Sequence, residues 1–280
     1  MSGIVYYNGK FDAWEKTKIP LTDRGLFFGD GVYDMAIGRG GKIYQCRKHV
    51  KRLLNNAALI GIEQFINEDE LVNLLEECVK RSCLFEYTIY FHITRSSSKR
   101  IHTAYKAGAN LMVAVDDFKI SCPKDTVSLI GYEDKRYHYC NIKTLNLLPS
   151  VLAASEADAR GCDEAVFHRG NIVTECAHSN VFIMNDGSLI THPNCELILP
   201  GITAENLICV ANETGIRVIR RAFTMQEAYS ADELIITSTT RFARIADMLD
   251  GVRIGGNDRE TAVMLCNKVY ENFCKKMEIS

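Results

Sequence analysis

Four short stretches of the sequence carry residue types that could do chemistry. Lys143, in the run Asn141-Ile142-Lys143-Thr144-Leu145-Asn146-Leu147-Leu148, is a lone cation among apolar neighbours. Desolvation there would lower its pKa toward a nucleophilic amine. The same spacing equally suits a lysine whose stem covers apolar surface while its head stays in water. Pro200-Gly201-Ile202-Thr203 leads straight into a helical pattern over 204–214. Glycine lets a ligand approach the backbone, and the unpaired N–H groups at a helix start favour an anion such as phosphate. A loop ending in a threonine cap reads the same way. Thr237-Ser238-Thr239-Thr240, at a strand end, either adds hydroxyl donors to that anion or forms an ordinary turn. Arg100 and His102 stand two apart after a strand, so both could grip a carboxylate from one side, or belong to a solvated basic loop. His192 and Cys195 have a metal-compatible spacing but no second ligand pair nearby, and we expect no metal.

The elements that must position these residues can be read from periodicity. Hairpins are expected at Asn8-Gly9 and Gly40-Gly41. Amphipathic helices are predicted at 47–60 and 68–82, and the strands Glu86–Arg95 and Ala109–Phe118 close a first half. A polar break and a proline around 117–123 mark a linker, giving domains 1–119 and 120–280. The second half offers a helix near 146–160 and hairpins at Arg169-Gly170-Asn171, Asn185-Asp186-Gly187 and Asp250-Gly251. Further helices are predicted near 203–214 and 258–275, with a short one between strands 215–221 and 233–240. Strands and helices are segregated rather than strictly alternating, which argues an α+β fold with substantial antiparallel sheet.

The 280 residues, with 33 basic against 35 acidic side chains and 47% apolar content, suit a folded globular chain with a sizeable core. A net charge of -2 gives no electrostatic reason to expect nucleic acid or an anionic membrane as partner, which leaves a small molecule. The first residues lack a basic stretch followed by an apolar run, and no segment approaches the roughly 18 apolar residues of a membrane helix; the expected location is the cytoplasm. The 11 cysteines contain no C-x-x-C pair, and those in apolar contexts (Cys78, Cys83, Cys140, Cys209, Cys266) read as buried free thiols.

With these segments placed, the chain resembles the class IV, or fold type IV, pyridoxal-phosphate aminotransferases, and within them most closely the D-amino acid aminotransferases. The likeness runs through DRGLFFGDGVYD (23–34), HVKRL (49–53), TRSSSKRIH (94–102), NIKTLNLL (141–148), GCDEAVF (161–167), TECAHSN (174–180), LPGIT (199–203) and TSTT (237–240). It implies two α+β domains with pyridoxal 5'-phosphate in the interdomain cleft, assembled as a homodimer. Lys143 matches the lysine that holds the cofactor as a Schiff base and then moves the proton at the substrate Cα. Glu175 matches the carboxylate that pairs with the pyridine nitrogen. Arg52, Ile202, Thr203 and Thr239 match the phosphate cup, and His178 and Ser179 fall in the cofactor-adjacent turn. Tyr33, Arg100 and His102 match the carboxylate trap of the D-amino acid enzymes. The implied reaction transfers the amine of a D-amino acid, such as D-alanine, D-glutamate or D-aspartate, to 2-oxoglutarate or pyruvate. Branched-chain or amine transaminases and aminodeoxychorismate lyase are the alternatives on the same fold.

The chain departs from that pattern in three places. Cys176-Ala177-His178-Ser179 replaces a glycine and a run of serines, so His178 either substitutes as a donor or alters the pocket. Asp34 stands where glutamate is usual, and Arg241 follows TSTT where a small polar residue is expected. Arg241 would either favour acidic substrates or form a surface ion pair.

Overall fold

Alternating side chains and tight turns build the first sheet. The computed structural model describes residues 3–63, 65–103, 108–123 and 125–278. β1 (Gly3–Tyr7) turns at Asn8-Gly9 into β2 (Lys10–Asp12), and β3 (Gly31–Arg39) turns at Gly40-Gly41 into β4 (Lys42–Ile43). The short helix α1 (Arg24–Phe28) lies between the two hairpins. With β5 (Glu86–Thr94) and β6 (Asn110–Asp117) these strands form a 6-stranded sheet in the order β2-β1-β6-β5-β3-β4, antiparallel throughout. Helices α2 (Cys46–Leu59) and α3 (Glu68–Ser82) turn their buried stripes onto one core. Val50, Leu53, Leu71 and Leu75 meet Val32, Phe91 and Val113 there, all fully buried. Each such side chain contributes roughly 1.5–3 kcal/mol. An Asn67/Glu70 capping box fixes the start of α3.

The second sheet has 10 strands, in the order β12-β11-β10-β14-β15-β7-β8-β9-β13 with β16 paired to β15. They are β7 (Val127–Glu133), β8 (Glu164–Arg169), β9 (Ile172–Cys176), β10 (Asn180–Asn185), β11 (Ser188–Thr191), β12 (Arg217–Arg220), β13 (Phe223–Thr224), β14 (Glu233–Ser238), β15 (Phe242–Leu249) and β16 (Val252–Arg253). Helices α4 (Leu148–Ala159), α5 (Ile202–Glu213), α6 (Met225–Ser230) and α7 (Arg259–Met277) accompany them. The sheet is mixed, because β7–β8, β11–β12 and β15–β7 are parallel. Two of these pairs are joined through a helix, α4 and α5, which is the connection a parallel pair requires.

The chain divides into two units, one comprising residues 1–120, 142–146 and 276–280, the other 121–141 and 147–275. The stretch Ile142–Asn146 groups with the first unit because its backbone pairs with the start of β3: Tyr33 N donates to Lys143 O at 2.9 Å and Leu145 N to Gly31 O at 3.1 Å. Cysteine burial differs from the composition-based reading. Cys78 and Cys266 are buried and Cys140 is intermediate, but Cys83 and Cys209 are exposed. Cys83 is the left-handed cap that ends α3, and Cys209 lies on the outer face of α5, so apolar sequence neighbours did not enclose either thiol. Among the described residues no helix is long and apolar enough to cross a membrane, and no group of three or more His, Cys, Asp or Glu residues could hold a metal.

Candidate active site

In the first unit, Lys143 is placed by its own backbone. The Tyr33 and Leu145 hydrogen bonds clamp residues 143–145 along β3, and Asn146 Nδ2 donates to Gly29 O at 2.9 Å. Gly29 adopts a left-handed φ of 61° after α1, and a Cβ there would stand 2.4 Å from Asn146 Oδ1, so only glycine admits this approach. The Lys143 amine lies 4.4 Å from the centre of the Tyr33 ring. Among the described residues of its unit it enters no hydrogen bond or ion pair, which leaves it available for a ligand. Tyr33 stacks on Tyr90 at 5.6 Å, and Tyr90 meets His92 edge-on, with its hydroxyl 3.1 Å from His92 Nδ1. Burial pushes the Tyr90 phenol up and the His92 imidazole down to about 4, so both are neutral near pH 7.

Strand alternation sends Asp34 to the opposite face from Tyr33, where it is fully buried. Its carboxylate accepts from Arg52 Nε at 2.8 Å and Arg52 Nη2 at 2.9 Å, and Oδ1 lies 2.7 Å from His49 Nδ1. Burial alone would raise this carboxyl; Arg52 and His49 outweigh it and hold Asp34 well below the usual carboxylate range. His49 and Arg52 stand three apart on α2 and so share a face. Arg52 is thus gripped along one edge of its planar fork, and its side chain keeps only 12% exposure.

Arg100 and His102 both reach Phe28, the last residue of α1. The Arg100 guanidinium carbon is 5.3 Å from the ring centre and the His102 ring 5.2 Å. The three residues of the expected carboxylate set therefore fall in two clusters, Tyr33 with Lys143 and Tyr90, and Arg100 with His102 around Phe28.

In the second unit, Glu175 near the end of β9 is 5% exposed and heavily held. Arg136 Nη1 donates to its Oε1 at 2.5 Å, while Leu199 N and Asn180 Nδ2 donate to Oε2 at 3.0 and 3.1 Å. Arg136 is itself fixed by Asp134, through Nε at 2.9 Å and Nη2 at 3.0 Å. Asp134 also accepts from Arg169 Nε and the Thr174 hydroxyl, both at 3.1 Å. These donors outweigh burial and lower the Asp134 carboxyl. Sequence reading missed Arg136 and Asp134; the available signal was the charged run Asp134-Lys135-Arg136 directly after a strand.

Ser179 and His178 occupy the β9–β10 turn, which is closed by Cys176 N donating to Ser179 O at 2.7 Å. Glu164, wholly buried in β8, accepts from His178 N and the Ser179 hydroxyl, each at 2.8 Å, and its Oε1 lies 3.3 Å from His178 Nδ1. Burial pushes the Glu164 carboxyl up to about 7. An acid opening the apolar strand Glu164-Ala165-Val166-Phe167 was the overlooked sequence signal. Ile202 and Thr203 open α5 behind Gly201, whose N-cap position makes no side-chain cap bond. A Cβ on Gly201 would fall 1.9 Å from Asn180 Oδ1, so glycine lets the helix start sit against the Asn180 amide that also touches Glu175. The Thr237 hydroxyl is buried without a partner among the described residues, and Thr239 follows it in the turn to β15.

The first unit thus holds an amine without a hydrogen bond or ion pair and an arginine and a histidine grouped on an aromatic ring, and the second holds a buried carboxylate paired with a guanidinium and a helix start without a side-chain cap. Residues 31–247 match the model of the amino-transferase class IV family. The chain belongs to the class IV aminotransferases. It is similar to the D-alanine aminotransferase of Staphylococcus epidermidis, 32% identical over 98% of this chain and 99% of that one. It is also similar to the D-alanine aminotransferase of Listeria monocytogenes, 35% identical over 91% of this chain and 90% of that one. Its fold matches the branched-chain amino acid aminotransferase of Escherichia coli, with a TM-score of 0.90 over 99% of this chain and 96% of that one at 21% identity. As a class IV aminotransferase, the protein has the fold type IV architecture expected from the resemblance.

Proposed function

We propose that the protein is a pyridoxal-phosphate-dependent D-amino acid aminotransferase. The observation that carries the substrate choice is the Arg100-Ile101-His102 loop, whose guanidinium and imidazole both pack on the Phe28 ring. The near full-length likeness to D-alanine aminotransferases supports the same choice. The residues present fit the cofactor. Lys143 would bind its aldehyde carbon, Glu175 would hold a proton at its pyridine nitrogen, and Arg52, the α5 start and Thr239 would take its phosphate. His178 and Ser179 would line it, with Glu164 fixing their turn. Bound there, pyridoxal phosphate supplies the sink for the electrons left when a Cα proton is removed.

The chain's own residues do the rest. The Lys143 amine takes the Cα proton and returns it, and Tyr33 beneath it excludes water from one side. Arg136 faces Glu175, and this pair would keep the nitrogen proton in place. Tyr33, Arg100 and His102 orient the α-carboxylate, and that orientation selects the D enantiomer by aiming its Cα–H at the amine. Free thiols throughout the chain support a reducing, cytoplasmic setting. The homodimer implied by the family likeness finds support in the exposed apolar side of α4, where Leu148, Val151 and Leu152 are 54–68% exposed.

The test is the visible spectrum of protein saturated with pyridoxal phosphate, before and after D-alanine, with L-leucine in parallel. The expected result is an absorption band that bleaches with D-alanine alone and is missing in Lys143→Ala. Bleaching by L-leucine alone would replace the reading with a branched-chain enzyme. Absence of any band would remove the cofactor assignment.

A further inference from the structure

The loop that carries Arg100 and His102 is held by its backbone as well as by its side chains, and both sets of contacts lead to α1. Arg24 is 3% exposed, and all three of its nitrogens are engaged. Nε donates to Asp30 Oδ2 at 2.8 Å, Nη1 to Ile101 O at 2.7 Å and Nη2 to His102 O at 3.4 Å. The guanidinium thus grips the backbone of the trap loop rather than any of its side chains. Asp30 is anchored in turn by Arg95 Nε at 3.0 Å, and Arg95 donates to Gly61 O at 2.8 Å and Ile60 O at 2.5 Å. The loop is therefore tied through Arg24, Asp30 and Arg95 to the end of α2, the helix that carries Arg52.

Phe28 provides the second contact. Its ring has Arg24 at 4.7 Å, Arg100 at 5.3 Å and His102 at 5.2 Å, so one aromatic group seats both trap side chains and the arginine that holds their backbone. α1 is fixed from its other end as well. Asp23 caps it through Gly25 N at 2.7 Å and accepts from the Thr94 hydroxyl at 2.9 Å and Asn110 Nδ2 at 2.7 Å. Arg24 N donates to Ser96 O, and Ser98 N to Thr22 O. Five residues of helix are too few to be stable alone, so these ties account for its presence.

We infer that Arg24 and Phe28 are positioning residues for the carboxylate trap, Arg24 setting the backbone of Ile101 and His102 and Phe28 setting the directions of the Arg100 and His102 side chains. The inference rests on the reading of Arg100 and His102 as carboxylate ligands. Neither positioning residue needs to touch substrate. Glu175 is held by Arg136 and the Lys143 backbone chiefly by β3, so the loss should fall first on carboxylate binding.

The experiment uses the cofactor-loaded enzyme and four variants: Arg24→Lys, Phe28→Leu, Phe28→Tyr and Arg100→Ala. Each is read for kcat and KM with D-alanine, for the dissociation constant of propionate by calorimetry, and for its melting temperature. Arg24→Lys and Phe28→Leu should raise KM and weaken propionate about tenfold or more, since small misplacement of an orienting group costs up to about 100-fold. kcat should change far less, and Phe28→Tyr, which keeps the ring, should restore wild-type values. If Arg100→Ala weakens propionate while Phe28→Leu leaves it unchanged, the positioning role is overturned and the carboxylate reading stands. If Arg100→Ala itself leaves propionate binding unchanged, the carboxylate reading has failed. A parallel fall in kcat, affinity and melting temperature for Phe28→Leu, unrelieved in Phe28→Tyr, would make the role merely structural. Should Arg24→Lys not fold, the Phe28 pair decides alone.

Discussion

The two arginine–carboxylate clusters of this protein are built on the same principle and end in opposite charges. In the first unit, the hub is Asp34, with 0% side-chain exposure, and it holds Arg52 directly. In the second, the hub is Asp134, again with 0% exposure, and it holds Arg136, which in turn holds Glu175. One link separates hub from outermost group in the first cluster and two in the second. The sign of the outermost group follows from that count, a cation in one case and an anion in the other. On the proposed reading these are the charges the two ends of the cofactor require, a guanidinium for phosphate and a carboxylate for the pyridine nitrogen proton. A buried aspartate is thus a way of fixing either sign, and the intervening arginine chooses which.

The sharpest way to break the comparison is to neutralise the hubs. Asp34→Asn leaves Arg52 without its bidentate partner. Removing one member of a buried pair costs about 3–5 kcal/mol, so the apo variant should melt well below wild type. If Arg52 binds phosphate, pyridoxal phosphate supplies a replacement anion and should raise the melting temperature of Asp34→Asn more than that of wild type. Asp134→Asn should show no such extra rescue, because its outermost group is an anion. Equal rescue of both would dissolve the distinction. The Asp34 contribution also has a defined pH window. Its native pKa is depressed, so the stabilisation is complete above the unfolded value of about 3.9 and is lost as pH falls below it.

A second test acts on the extra link. Arg136→Met removes the charged donor to Glu175 but leaves Leu199 N and Asn180 Nδ2. A hydrogen bond to a charged group is worth about 1.5–3 kcal/mol, so kcat/KM for D-alanine should fall about tenfold or more while Arg169 and Thr174 still hold Asp134. An unchanged kcat/KM would take Arg136 out of the chemistry.

How much of this was legible in the sequence depended on distance along the chain. The helices over 46–59, 68–82 and 202–213 and the glycine-bearing hairpins are local, and periodicity and turn residues located them. The family likeness named Lys143, Glu175 and Arg52, because those positions sit in recognisable strings. The residues that fix them were not legible. Asp34 was noted only as a shortened glutamate, yet it meets His49 and Arg52 across β3 and α2. Arg136 reaches Glu175 across 39 positions, and Arg24 reaches the trap loop across 77. α1 itself has no apolar period, since it exists through its cap and tertiary ties. The parallel strand pairs were likewise hidden, because local patterning cannot specify which edge a helix crossover returns to.

A last contrast concerns Glu164, which resembles the hubs in burial and differs from them in charge compensation. Its donors are neutral, among them His178 N and the Ser179 hydroxyl, and an imidazole lies 3.3 Å away, but no guanidinium is within bonding distance among the described residues. Arg241 lowers the Glu164 pKa only as a more distant charge, so burial wins and the carboxyl sits at about 7. A native pKa raised above the unfolded one means that the folded state binds more protons. Stability is therefore highest below the unfolded carboxylate range and declines as pH rises from there to about 7, by on the order of 3 kcal/mol in total. Glu164→Gln keeps an acceptor for His178 N and can donate to Ser179, and it removes the titration. Melting curves of the two proteins between pH 5 and 8 should diverge, with the variant gaining on wild type as pH rises. Parallel curves would place Glu164 with Asp34 and Asp134 as a permanently ionised group, and the contrast between compensated and uncompensated buried acids in this fold would fall.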